Sequence, residues 1–216
     1  MKQHNWIAAS ILAFALTLGG CQSAYYAAWE QVGVEKRDIL VDRVEEAKES
    51  QEDAQEQFSS ALEEFSSLIN YDGGELERVY NRLNDQYEDS RAAADEVSSR
   101  IDKIESVAEA LFEEWNEELE QYDSAELKRA SAGKLRDTQG RYKSLIQTMR
   151  KAEHSMEPVL RAFNDNVLYL KHNLNANAIG ALQGELSSIE NDVQSLISEM
   201  NSAIAESDAF IQAMQN

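Results

Sequence analysis

The chain has 216 residues, with 40 Asp and Glu against 20 Lys and Arg, and a formal net charge of −20. Such a surface repels nucleic acid and bulk anionic membrane, which excludes nucleic-acid binding as a function class. A single cysteine rules out an intrachain disulfide, and one proline and nine glycines beside abundant Glu, Gln, Ala, Ser and Leu describe a helix-forming chain.

Residues 1–20 read as a secretory leader. Lys2 gives the positive start, Trp6 to Leu18 is a mostly apolar run, and Gly19 and Gly20 supply small residues ahead of a cleavage point between Gly20 and Cys21. The run is too short for an ordinary membrane-spanning helix. Leu18-Gly19-Gly20-Cys21 resembles the lipobox of bacterial lipoproteins, in which the cysteine sulfur takes a diacylglyceryl group and becomes the new N-terminus. That makes Cys21 the expected lipid attachment site, and several acyl chains anchor a protein stably where one does not. Gln22, rather than Asp, follows it, which by resemblance to enterobacterial sorting rules directs the protein to the outer membrane, facing the periplasm.

From residue 21 to 216 the pattern predicts one all-α domain. Tyr25, Tyr26 and Trp29 follow the anchor and are interaction candidates for the headgroup layer, the alternative being that they cap the helical core. A first helix is expected over residues 24–69, with a weak point at Gly33. Its apolar positions step by four and three through Leu40, Val44, Ala47, Gln51, Ala54, Phe58, Ala61, Phe65 and Leu68, a coiled-coil seam with one polar lapse at Gln51. Asp72-Gly73-Gly74-Glu75 breaks it with a turn and a cap.

A second helix is expected over residues 74–122, its seam running from Leu76 and Tyr80 through Ser90, Ala94, Val97, Ile101 and Ile104 to Trp115, Glu118 and Tyr122. A third, over 124–173, starts near Asp123-Ser124, with Glu126 completing a capping box. Its seam includes Leu135, Tyr142, Leu145, Met149, Met156, Phe163, Asn166 and Leu170, and Pro158 inside it predicts a kink. A fourth, over 177–214, carries Ile179, Leu182, Leu186, Ile189, Val193, Leu196, Met200, Ala203, Ser207, Phe210 and Met214. Each seam loses its phase where the turn residues sit, which a single long rod would not do. The expected architecture is therefore a long antiparallel bundle of four helices, up-down-up-down, with a three-helix bundle continuous through residues 176–181 as the alternative.

Charge favours laying the second and third helices side by side. Nine acids between Asp102 and Asp123 would face eight bases between Ser124 and Lys151. Each exposed pair adds only tenths of a kcal/mol, so this selects partners more than it stabilises.

Chemistry is sparse. Beyond the leader the histidines are His154 and His172, with Lys151 and Tyr169 three residues before them, so the Glu-x-x-His pairs of di-metal bundles are missing and no metal or other cofactor is expected. No phosphate-binding loop or nucleophile elbow is present, and an enzyme is the least expected class. Tyr169 to Asn175 is the most unusual polar-aromatic stretch. Lys171, His172 and Asn173 are its interaction candidates, against a plain reading as a C-cap followed by an N-cap.

Cys21-Gln22-Ser23-Ala24-Tyr25-Tyr26, the segment Val34 to Val44, the Asp72-Gly73-Gly74 turn and the segment Leu168 to Ala176 together resemble a family of proteobacterial lipoproteins, the domain of unknown function 2959. The resemblance covers essentially the whole chain after the leader. It implies a helical envelope lipoprotein and brings no assigned activity. The expected role is structural or protein-interacting, on a membrane held through the N-terminal lipid, with envelope proteins as partners and self-association as an open possibility. The alternative is an envelope chaperone-like or ligand-binding module.

Overall fold

The computed structural model describes residues 35–69, 76–173 and 176–215. They form four helices: α1 (Lys36–Ile69), α2 (Leu76–Leu119), α3 (Ala125–His172) and α4 (Ala176–Gln215). At about 1.5 Å per residue, the 48 residues of α3 span about 72 Å. α1 and α3 each pack against both α2 and α4, so the helices form a closed ring of neighbours with α1 diagonal to α3. Side-chain pairs trace the antiparallel course. Lys36 meets Glu114, Arg100 meets Glu46 and Arg82 meets Glu64, so α2 descends as α1 climbs. Lys48 with Asp208 and Gln55 with Asn201 do the same for α4. This is the up-down-up-down bundle, and the side-by-side packing of α3 on α4 excludes the three-helix alternative.

The seams face inward. In α1, every position from Leu40 to Phe65 is buried, Gln51 included. α4 buries Leu182, Ile189, Val193, Leu196, Met200, Ala203, Ser207, Phe210 and Met214, with Leu186 half-buried. Aromatic side chains sit in both halves of the bundle, Phe58, Phe65 and Phe163 toward the end where α1 finishes and Phe210 toward its start. Phe58 stacks on Phe163 across the diagonal, with ring centroids 6.4 Å apart and planes 22° from parallel. The middle is built from smaller and softer residues: Ala47, Ala54, Ser90, Ala94, Ala152 and Ala203, with Met149, Met156 and Met200 as adaptable fillers. Among the described residues, the buried core runs from Ile39 to Met214 and draws on all four helices.

Several boundaries differ from expectation. α1 begins at Lys36, after a non-helical Glu35 whose carbonyl accepts from the N–H groups of Asp38 and Ile39. The expected helical residues 24–34 lie outside the described residues, as does the Asp72 to Glu75 turn, and α4 opens at Ala176, one residue before the expected Asn177. The side chains of Leu68 and Ile179 lie outside the described residues too. α2 stops at Leu119, not at Tyr122. Leu119 is buried, whereas Glu118 and Tyr122 are exposed, because the chain tightens there into i to i+3 bonds from Glu120 N–H to Glu117 O and from Gln121 N–H to Glu118 O. At the other end of α2 the core residue is Val79, with Leu76 and Tyr80 half-buried.

Ser124 does cap α3, its hydroxyl accepting from Leu127 N–H at 3.3 Å. The reciprocal box fails because its third helical position is Leu127. Glu126 sits one residue earlier, where it serves only the helix dipole. α3 is unbroken through Pro158, which is exposed, so water can reach the His154 carbonyl left without its helical donor.

Candidate functional site

The distinguishing chemistry of the folded chain is charge laid out by helix. α1 carries ten acids against four bases, α2 thirteen against five, and α4 six against none. α3 alone is basic, with ten Lys and Arg against five acids. Its bases ring the exposed surface of its first half, beside the acidic second half of α2. Trp115 holds this hairpin by donating its indole N–H to Ser131 Oγ at 2.8 Å, and Phe112 meets Tyr142 edge-on at 5.3 Å.

The expected pairing across the hairpin is only partial. Lys128 reaches Glu120 at 3.0 Å, while Arg150 gathers Asp102 at 2.5 Å, Glu105 at 2.6 Å and its own-helix Glu153 at 2.9 Å. Lys151 turns instead to Glu199 on α4. Lys134, Arg136, Arg141 and Lys143 are exposed and have no ion-pair partner among the described residues. Arg150 is partly buried, which alone would weaken its hold on the proton, but the three carboxylates outweigh this and raise its pKa. Burial, with Glu105 and Glu109 nearby, pushes the Tyr142 phenol up to about 12 against the opposing pull of Arg150.

A second cluster clasps α1 to α2. Arg43 and Arg100 both donate to the Glu46 carboxylate, at 2.7 Å and 2.6 Å, and Arg100 also holds Glu96 at 2.6 Å. Partial burial pushes the Glu46 carboxyl up, but the two guanidinium groups outweigh it and hold the pKa below its ordinary 4.5. A carboxyl lowered on folding stabilises above its unfolded pKa and loses that contribution as pH falls through the lower folded value. The stability difference between wild type and Glu46→Gln is therefore expected to be constant near neutrality and to shrink as pH falls from the ordinary carboxyl range through the lower folded value. With the Glu46 side chain 37% exposed, the difference at neutral pH should be only about 0.5 kcal/mol. Urea melts of both proteins across that range check it, and a gap that did not narrow on acidification would deny Glu46 this role.

Cys21, Gly20, Tyr25, Tyr26 and Trp29 lie outside the described residues. The other candidates stand together at the far end of the bundle. Lys171 and His172 are exposed, and so are Leu168 and Tyr169. Asn173 is a cap. Its backbone N–H donates to Leu170 O at 3.0 Å and its side-chain amide to Tyr169 O at 2.9 Å. Its φ of −132° is not the left-handed conformation that asparagine tolerates, so the side-chain bond stops this helix. His154 donates through Nδ1 to the Arg150 carbonyl. Among the described residues, no three His, Cys, Asp or Glu side chains are grouped to hold a metal. The void lined by Ala61, Phe65, Leu83, Phe163 and Asn166 has about 10 Å³, room for a single water.

Closed core, antiparallel course and charge segregated by helix define an all-α four-helix bundle protein. The chain matches, over residues 25–214, the profile of the family described as protein of unknown function DUF2959, and it belongs to that family. No curated protein matches it, and neither does any solved structure. No described helix is long and apolar enough to cross a membrane.

Proposed function

We propose that this protein is a lipid-anchored helical bundle of the cell envelope, with a structural or protein-interaction role and no catalytic activity. The observation that carries the reading is Leu18-Gly19-Gly20-Cys21, placed after Lys2 and a short apolar run. Diacylglyceryl on the Cys21 sulfur, with a further acyl chain on the amine freed by cleavage, would hold the bundle by its N-terminal end. The outer membrane is the proposed location, resting on Gln22. Family membership fits this reading and assigns no activity. The long charged faces that the four helices present support a scaffold.

The test is Cys21→Ser with mass spectrometry of the N-terminus. Wild type is expected to begin at a diacylglyceryl-cysteine and to sediment with membranes, and the variant to keep its leader and incorporate no lipid. An unmodified Cys21 in mature wild-type protein would sink the proposal. In-cell photo-crosslinking from exposed positions of α2 and α4 then asks for the partner.

A further inference from the structure

The α2–α3 hairpin leaves two charged columns side by side. Arg150 reaches across to Asp102, which fixes the side of each helix that flanks the groove. One and two heptads before Arg150 stand Lys143 and Arg136, and one heptad after Asp102 stands Glu109, with Glu113 a turn further on. All four are exposed and without an ion-pair partner among the described residues. The face is therefore basic on one edge and acidic on the other, near neutral in sum, and self-complementary.

We infer that two copies of this chain pair through this face, in parallel, about a two-fold axis running lengthwise along the α2–α3 groove. Rotation by half a turn about that axis leaves each residue at its own height and exchanges left for right. The partner's acidic α2 edge then lies over the basic α3 edge, and the reverse holds on the other side. An antiparallel two-fold would set α2 on α2 and oppose like charges. Closed two-fold pairing is the commonest form of assembly and needs only one self-complementary patch. An anionic lipid surface fits less well, since the acids of α2 would meet it together with the bases of α3. The acidic outward side of α1, with Asp42, Glu49, Glu56 and Glu63 one heptad apart, is diagonal to α3 and would give open chains instead.

A face built on charge steers association more than it tightens it, so the dimer is weak and salt-sensitive. The parallel arrangement puts both N-termini at the same end. Two copies anchored in one membrane would satisfy that geometry and gain effective concentration. The pairing itself does not rest on the anchor, so it stands or falls apart from the proposed function.

The experiment uses the chain from residue 21 with Cys21→Ser, which keeps all four described helices, and sedimentation equilibrium. Wild type should dimerise at about 0.02 M salt and weaken at least about tenfold by 0.5 M, as the screening length drops from about 20 Å to about 4 Å. Arg136→Glu/Lys143→Glu and Glu109→Lys/Glu113→Lys should each be monomeric and folded, and their mixture should form a heterodimer. A spin label at Asp123→Cys should report tips within about 30 Å of each other, against about 60 Å or more for antiparallel overlap. Four results overturn the inference: a monomer at low salt, a dimer indifferent to salt or to charge reversal, open polymers, or a wild-type monomer that binds only anionic vesicles.

Discussion

Replacing Phe58 by alanine should destabilise the bundle by about 4 kcal/mol, near the top of the range for truncating a buried aromatic. Phe58 is 0% exposed and stacks on Phe163 of the diagonal helix, so its ring spans the core between elements that otherwise scarcely touch. Truncation removes the transfer energy of the ring, the ring–ring contact, and the atoms that keep α1 and α3 at their distance. The neighbouring layers carry Ala54 and Ala61 on the same helix, and these have no reach to fill the gap. Urea denaturation is the measurement, with the midpoint falling and the slope unchanged. Leu127→Ala is the control, because Leu127 is 59% exposed beside the hairpin turn and its loss should fall within about 0.5 kcal/mol of zero. A cost below about 1 kcal/mol for Phe58→Ala would mean that α1 and α3 do not share a core.

The fold was legible wherever burial was the only demand on the sequence. The 3-4 spacing from Leu40 to Phe65 places every one of those residues in the core, because a seam that must face three other helices tolerates little else. Legibility failed at the C-terminal end of α2, whereas the end of α1 and both caps of α3 fall where the pattern puts them. Glu118 and Tyr122 continue the α2 spacing but not its burial. Past Leu111 the local turn chemistry sets the course of the chain, and periodicity carries no information about it. Ser124 was readable as a cap because the hydroxyl needs only a free amide in reach, while the Glu126 box was not, because it depends on register to the residue. The order of helices around the ring follows from the short connections. Which charges remain unpaired does not follow from sequence. Lys143 and Arg150 are the same residue class one heptad apart, yet Arg150 holds three carboxylates and Lys143 none among the described residues. That difference lies in side-chain reach and in the planar guanidinium, which serves several oxygens at once.

Gln51→Leu is expected to stabilise the bundle, by about 2 kcal/mol, and to raise its melting temperature by about 5 °C. Gln51 occupies a seam position of α1, is 0% exposed, and neither its amide nitrogen nor its amide oxygen has a hydrogen-bond partner among the described residues. An amide stripped of water and given nothing in return costs about 1–3 kcal/mol, and an apolar side chain of similar length removes that cost while keeping the space filled. The surrounding stretch is the small-residue middle of the core, with Ala47 and Ala54 a turn away on either side, so a side chain as long as glutamine has room there. Gln51→Met, unbranched like glutamine, should give most of the gain if leucine's branch is what the layer resists. What the wild-type amide retains is a penalty on slippage: any shift of α1 that exposes Gln51 to water also brings polar neighbours into the core, so the polar position marks one register among several apolar ones. The two substituted bundles should therefore be more stable and less singular, with higher melting temperatures and broader amide resonances along α1. Unchanged or lowered stability in both would mean that a buried water satisfies the amide, and the seam would then be carrying a hydrated layer in place of a strained one.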